Sequence, residues 1–108
     1  MEQMVEDKIR LHKLYDHYNL LLTEKQRMYF EYYYLDDYSL SEIATLLDVS
    51  RNAVHEQLKI VINHLEHYEE VLHNFEKGQI RKELYTKFYD LTKEETVLAL
   101  VKELEKVE

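Results

Sequence analysis

Histidines and glutamates spaced about one helical turn apart are the residues of this sequence best suited to holding a metal ion. His64 and His67 lie three positions apart, and Glu70 and His73 form a single Glu-x-x-His pair. A di-iron site in a helix bundle needs two such pairs and two further glutamates that converge on the metal. We therefore interpret these residues as a polar helix face, and we expect no metal and no cofactor.

The sequence shows no recognisable arrangement of catalytic groups, such as a nucleophile beside a base. The sequence has no Cys, which excludes disulfides, thiol catalysis and Cys-based zinc sites, and its single Gly excludes a Gly-rich phosphate loop. The paired carboxylates of Asp36 and Asp37 fall at the end of a predicted helix, and no partner base is predicted beside them. We expect a protein that is not an enzyme.

Four polar residues are candidates for contacting nucleic acid. Arg51, Asn52, His55 and Lys59 are spaced so that they share one side of a helix. In the DNA major groove, Asn pairs well with adenine and Arg with guanine. The alternative is that these four are ordinary solvated residues of a helix that binds a protein.

The same residues lie in the stretch SLSEIATLLDVSRNAVHEQLK, Ser39–Lys59, which has the pattern of a helix-turn-helix. Ile43 and Leu47 lie one turn apart and can face a core, and Ala44 is small where two helices would cross. Asp48 stands where the turn requires a left-handed residue, and Asp tolerates that conformation better than most residues. In most such units the second helix enters the DNA major groove.

Five aromatic residues are concentrated just before this stretch. Their spacing wraps them around a helix, so at least two must face the core. Tyrosine also suits protein interfaces, because it has an apolar ring and a polar tip. We expect core and interface roles, with stacking on nucleobases as the alternative. The residues are Tyr29, Phe30, Tyr32, Tyr33 and Tyr34.

Capping signals and hydrophobic periodicity predict an all-α fold with six helices. Thr23–Gln26, Ser39–Glu42 and Thr92–Glu95 each have the pattern of a capping box, and Ser50 can cap a further helix. No breaker follows until Gly78, which suits the position just past a helix C terminus, where φ must be positive. The absence of Pro leaves too few turn signals for a β-sandwich or barrel.

The long helix predicted after Ser50 carries an apolar seam whose spacings alternate between four and three. This periodicity is typical of coiled-coil packing. We expect a homodimer that pairs through apolar surface of this helix or of the last two helices. The seam begins at Val54, and the candidate residues for a dimer or protein interface are Leu58, Val61, Leu65, Tyr68, Leu72 and Phe75.

These elements predict two parts in a chain of 108 residues. Residues 1–78 form a helix-turn-helix domain that ends in the long seam helix. Residues 79–108 form a C-terminal helical extension, which we expect to pack on the core or on a dimer partner.

The motif extends beyond the general helix-turn-helix pattern. EIATLLDVSRNAVHEQLKIVINHL resembles the C-terminal DNA-binding domain, region 4, of bacterial sigma factors. With LLTEKQRMYFEYYYLDDYSLSEIA and LEHYEEVL, the chain resembles the YlxM family of small bacterial helix-turn-helix proteins. The resemblance implies an all-helical protein with an accessory or regulatory role in the signal recognition particle pathway. Its implied partners are the particle's GTPase, its small RNA, or both.

The chain departs from the family's pattern inside the second helix of the motif. It has SRNAVHEQLKI where SRQAVYDNIKR is expected for the family. Asn52 and His55 therefore replace Gln and Tyr, and Ile60 replaces a basic residue. These differences weaken any transfer of the family's nucleic-acid contacts to this chain.

The charge of the chain argues against tight DNA binding. The formal net charge is −8, and the charged side chains of Ser50–Ile60 sum to only +1. The segments on either side are acidic, with −4 over Asp36–Val49 and −3 over Val61–Lys77. Specific DNA-binding proteins commonly neutralise about 6–10 phosphates. We expect weak binding to duplex DNA, and a DNA-binding transcriptional regulator is the alternative function.

The start of the chain, MEQMVEDKIR, is charged and lacks the apolar core of a signal peptide. No run of about 18 apolar residues is present, so we expect no membrane insertion. These features predict a cytoplasmic protein.

Overall fold

Six α-helices make up most of the residues that the structure describes. The computed structural model describes residues 2–107, with side chains from residue 7 onward, and contains no strand within that range. The all-α prediction is therefore confirmed. A 3₁₀ turn, Asn19–Leu21, follows the first helix, and a π-helical turn, Glu31–Leu35, follows the second. The helices are α1 Glu2–Tyr18, α2 Glu24–Phe30, α3 Leu40–Leu47, α4 Arg51–Leu72, α5 Asn74–Leu91 and α6 Glu95–Lys106.

Two compact units divide the chain between Leu72 and His73. Unit 1 contains α1–α4, and unit 2 contains α5 and α6. The boundary lies before the position expected at Gly78, because α4 ends earlier than its apolar periodicity predicted.

Side-chain caps fix where three helices of unit 1 begin. The Thr23 Oγ1 atom accepts a hydrogen bond from the Gln26 amide at 3.1 Å, and the Gln26 side chain accepts one from the Thr23 amide at 2.9 Å. Ser39 and Glu42 form the same reciprocal pair at the start of α3. The Ser50 hydroxyl accepts from the Ala53 amide at 3.0 Å. Each cap satisfies amides that have no partner inside the helix, so these three predicted starts are confirmed.

The core of unit 1 forms around α4, which contacts α1, α2 and α3. The buried side chains of α4 follow the predicted row, which is therefore covered by helices of the same chain. They are Val54, Leu58, Val61, Leu65 and Glu69. The residues of this core that are almost fully buried are Leu14, Tyr18, Tyr29, Phe30, Ile43, Val54, Val61 and Leu65.

Polar side chains join α1 to α4 at the far end of the same core. The hydroxyl of Tyr18 donates a hydrogen bond of 2.5 Å to the carboxylate of Glu69, and both side chains are buried. Nearer the surface, the Arg10 guanidinium donates to both carboxylate oxygens of Glu66, at 3.2 and 2.8 Å. This bond and the charge of Glu66 raise the pKa of Arg10, while partial burial opposes them.

The junction between the units differs from the prediction at Gly78. The long helix stops at Leu72, and His73 adopts a left-handed conformation with φ 55°. Gly78 lies inside α5 and does not have positive φ. The apolar spacing continues through Leu72 to Phe75, so it gives no indication that the helix ends at Leu72. No sequence signal marks His73 as left-handed.

The predicted capping box at Thr92 was also wrong. The Thr92 hydroxyl accepts a hydrogen bond from the Glu94 amide at 3.2 Å, and α6 begins at Glu95. Thr92 therefore forms a local turn between α5 and α6 and does not cap α6.

The two helices of unit 2 pack against each other and bury Val101 of α6. The hydroxyl of Tyr89 on α5 bonds the Glu105 carboxylate on α6, and this bond raises the pKa of Tyr89. Several apolar side chains of both helices remain exposed. Among the residues that the structure describes, no helix has the length and hydrophobicity needed to cross a membrane.

Candidate functional site

The turn between α3 and α4 sets the geometry of the helix-turn-helix. Asp48 has φ 55° and ψ 50°, which is the left-handed conformation predicted for it. The Val49 amide donates to the Ala44 carbonyl at 3.0 Å, and this bond closes the end of α3. Because Asp48 reverses the backbone twist, α4 can begin at Arg51 and cross α3.

The crossing is held by one hydrophobic cluster that both helices share with α2. Ile43 and Val54 are fully buried, and Ala44 provides the small side chain expected at the crossing. Tyr29 of α2 and Leu58 of α4 complete the buried cluster. This packing fixes the orientation of the first half of α4, which is the recognition helix of the motif.

The four predicted contact residues lie together on the exposed side of that half. Arg51, Asn52, His55 and Lys59 are all exposed, and their spacing places them within about 100° around the helix axis. The Nδ1 atom of His55 is 3.9 Å from a carboxylate oxygen of Glu56. The face therefore carries two permanent cations, one amide and one imidazole, with an acidic neighbour.

A groove of about 370 Å³ runs beside this face, between the π-helical turn and α4. His55 and Lys59 line one part of it, and Tyr33 and Tyr34 line another. Leu40 and Ile62 are among the apolar residues that complete its wall. Both groups of residues are evident in the sequence, but their proximity is not, because the π-helical turn that orients the tyrosines has no clear sequence signal.

The aromatic run divides between the core and this groove. Tyr29 and Phe30 are buried, in agreement with the expectation that at least two would face the core. Phe30 stacks on Tyr15 with ring centroids 4.3 Å apart and on Tyr34 at 4.7 Å. Tyr33 and Tyr34 are partly buried, and burial raises the pKa of Tyr34. These two rings form a rigid wall that presents part of its surface to solvent.

The predicted interface along the seam of α4 requires correction. Leu58, Val61 and Leu65 are buried in unit 1 of a single chain, so they have no surface to offer a partner. Tyr68 is partly buried, and its hydroxyl donates to the Leu21 carbonyl at 3.4 Å. The apolar periodicity of a helix predicts that one face is buried. It does not show whether that face packs on helices of the same chain or on a second chain.

The last two seam residues do not continue that buried row. Leu72 is exposed at the end of α4, and Phe75 lies in α5, where it is partly buried. Only Tyr68, Leu72 and Phe75 therefore retain accessible surface among the predicted interface residues.

The histidines considered as metal ligands contact aromatic or acidic neighbours: His64 and His67 both lie beside the Tyr68 ring, and His73 lies beside Glu76. Among residues 7–107, no group of three or more His, Asp or Glu side chains is placed to hold a metal ion. The His73 imidazole is 3.1 Å from the Glu76 carboxylate, and the His64 ring stacks on Tyr68.

The chain is similar to a family and to several bacterial relatives over nearly its whole length. The UPF0122 family model, described as "Putative helix-turn-helix protein, YlxM / p13 like", matches residues 5–106. A UPF0122 protein of Bacillus velezensis is 46% identical over 108 residues, which cover 96% of this chain and 98% of the relative. The UPF0122 protein YlxM of Bacillus subtilis is 44% identical with the same coverage. A UPF0122 protein of Geobacillus is 44% identical over 97% of this chain and 100% of its own length. The chain therefore belongs to the UPF0122 family of YlxM-like helix-turn-helix proteins.

Proposed function

We propose that the protein is a non-enzymatic accessory or regulatory protein of the signal recognition particle pathway, acting in the cytoplasm through the exposed side of α4. Its partner is the particle's GTPase, alone or together with the small RNA. The observation that carries this proposal is the aromatic groove beside a weakly charged recognition helix. The pathway itself rests on the resemblance of the sequence to the YlxM family.

The groove has the composition of a protein-binding surface. Cores of protein interfaces are enriched in Tyr and depleted in charge, and a polar rim surrounds them. Tyr33 and Tyr34 supply the aromatic wall, and His55 and Lys59 supply polar groups at its edge. Because Phe30 stacks against Tyr34, the wall is ordered before a partner arrives, which reduces the entropy lost on binding.

The charge of the exposed side supports a protein partner over bare duplex DNA. Arg51 and Lys59 are its only permanent cations among residues 50–60, and Glu56 lies between them in sequence. Two cations are few beside the roughly 6–10 phosphate contacts of a specific DNA-binding protein. A protein surface requires no such number of cations.

A DNA-binding transcriptional regulator is the second candidate function. The observation that favours it is the helix-turn-helix geometry, in which Arg51, Asn52, His55 and Lys59 stand exposed on the recognition helix. Arg and Asn at these positions have the geometry to read guanine and adenine edges.

Affinity capture from the source cell tests the proposal. Tagged protein is used as bait at about 150 mM salt, with and without nuclease. We expect the signal recognition particle GTPase among the captured proteins in both samples, and the small RNA only without nuclease. Capture of promoter DNA without the GTPase would support the regulator and contradict the proposal.

Two matched variants connect the result to the groove. His55→Glu adds a carboxylate at the groove and should abolish capture of the GTPase. His67→Glu makes the same chemical change on an exposed residue of α4 beyond the recognition half, and should leave capture unchanged. Equal capture by both variants would show that the groove is not the binding surface.

A further inference from the structure

An apolar stripe that is about half exposed runs along α5 in unit 2. Ile80, Leu84 and Phe88 follow one another at intervals of four residues, so they lie on one side of the helix. Each of the three is 49% exposed. Helices bury their apolar stripe against another element, and a hairpin of two helices offers few such elements.

The contact between α5 and α6 uses a different side of α5. The Tyr89 hydroxyl donates a hydrogen bond to the Glu105 carboxylate of α6. Tyr85, Tyr89 and Glu105 also line a cavity between the two helices. Tyr85 and Tyr89 each follow a stripe residue by one position, which is about 100° around the helix. The stripe therefore remains available although α6 is already in place.

We propose that this stripe is the contact between two copies of the chain, with the two α5 helices antiparallel about a two-fold axis at Leu84. A two-fold interface requires one patch that is complementary to itself. The stripe meets this requirement because its members are evenly spaced around Leu84. The axis places Leu84 on Leu84 of the second copy and Ile80 on Phe88 of the second copy.

Side-chain size and charge favour the antiparallel arrangement. It sets a smaller Ile against a larger Phe at both ends, which keeps the helices evenly spaced. A parallel pair would place Phe88 on Phe88. It would also bring together the two exposed Lys77 side chains, which lie one turn before Ile80 on the same side.

Two charged residues beside the stripe add complementarity. Glu83 and Lys87 are exposed and share the flank one position before Leu84 and Phe88. In the antiparallel pair, Glu83 of one copy and Lys87 of the second copy lie about two residues apart, measured along the helix axis. Side chains lean toward the N terminus of their own helix, so these opposite charges converge while the two Glu83 carboxylates diverge.

The first test is the mass of the full chain in solution. Sedimentation equilibrium of the wild type should give twice the 13.3 kDa chain mass at micromolar concentration. Leu84→Glu places a charge on the axis and should give single chains. Leu46→Glu changes a Leu of α3 with similar exposure and should leave the dimer intact. A wild-type mass of 13.3 kDa at high concentration would overturn the proposal.

Disulfide cross-linking tests the direction of pairing without depending on the Glu variants. The chain has no Cys, so each introduced thiol is unique. Leu84→Cys should form a covalent dimer on oxidation, whereas Ile80→Cys alone and Phe88→Cys alone should not. Mixing the last two variants should yield the mixed dimer. Efficient dimers of Ile80→Cys with itself would show parallel pairing and overturn the antiparallel arrangement. The stripe lies outside unit 1, so these results are independent of the function proposed for α4.

Discussion

Left-handed backbone positions are occupied here by residues other than glycine. Asp37, Asp48 and His73 have φ of 59°, 55° and 55°, whereas the one glycine of the sequence, Gly78, lies inside a helix. Each of the three follows the end of a helical segment. The free-energy cost of the left-handed conformation is largest for residues with bulky or branched side chains.

Asp48 is the best position at which to measure this free-energy cost, because its left-handed conformation forms the turn between α3 and α4. We expect Asp48→Gly to leave the free energy of unfolding unchanged or to raise it by a few tenths to about 1 kcal/mol. Asp48→Val should lower it by about 1–2 kcal/mol, because its branched Cβ clashes in the left-handed region. Urea unfolding followed by circular dichroism measures both. Equal stability of the Gly and Val variants would contradict the left-handed turn.

Tyr15 links the stability of unit 1 to alkaline pH. Burial, followed by the hydrogen bond to Glu31 and the charge of that carboxylate, raises the pKa of the Tyr15 hydroxyl above its ordinary value. In the unfolded chain the hydroxyl ionises near pH 10, at about its ordinary pKa. The unfolded state therefore loses this proton first, and stability falls as pH rises above about 10.

The corresponding prediction concerns the slope of stability against pH. Tyr15→Phe should lose less free energy of unfolding than the wild type between about pH 9 and pH 11. Glu31→Gln keeps the ring buried but removes the charge, so its slope should be intermediate. Urea unfolding at several pH values provides the measurement. Identical slopes for wild type and Tyr15→Phe would show that the hydroxyl does not couple ionisation to folding.

At the scale of helices, local signals predicted beginnings better than ends. The caps at Thr23, Ser39 and Ser50 are short-range chemistry, and all three were correct. The end of α4 was wrong because its apolar spacing continues through Leu72 to Phe75 while the backbone breaks at His73. The burial of Leu65 in one chain was also missed, since periodicity does not identify which helix covers a seam. The groove depends on a π-helical turn and could not be predicted.

Gly78 provides a direct test of the revised helix boundaries. In the interior of α5, Gly78→Ala should raise the free energy of unfolding by about 0.5–1 kcal/mol, because Ala restricts the unfolded chain. An added Cβ would meet only ordinary contact, with an Arg81 nitrogen at 3.7 Å. Had Gly78 terminated a helix with positive φ, the same change would destabilise the protein. Thermal unfolding of the variant distinguishes the two cases by the sign of the change.

For the whole molecule, charge and fold favour different partners. The helix-turn-helix has the shape of a DNA reader, yet the chain has a net charge of −8. Exposed charges are screened beyond about 8–10 Å at physiological salt, so the acidic segments weaken nucleic-acid binding without forbidding it. Shape alone contributes little affinity where phosphate contacts are few.

This balance predicts the affinity for duplex DNA. At about 150 mM salt we expect a dissociation constant of about 10⁻⁴ M or weaker, with no sequence preference. Replacing both Arg51 and Lys59 with Glu should change fluorescence anisotropy titrations little. Nanomolar affinity for one duplex, abolished by Arg51→Glu alone, would contradict the charge argument and favour the transcriptional regulator.

The hydrogen bond between Tyr18 and Glu69 has a consequence for the order in which unit 1 folds. Its partners are 51 positions apart, so a long loop must close before the bond forms. The helices α2 and α3 and the first half of α4 are neighbours along the chain and can associate early. Docking of α1 also removes the hydrating water from the Glu69 carboxylate, and this desolvation costs free energy. We therefore expect α1 to join last during folding, and its detachment to be the first step of unfolding.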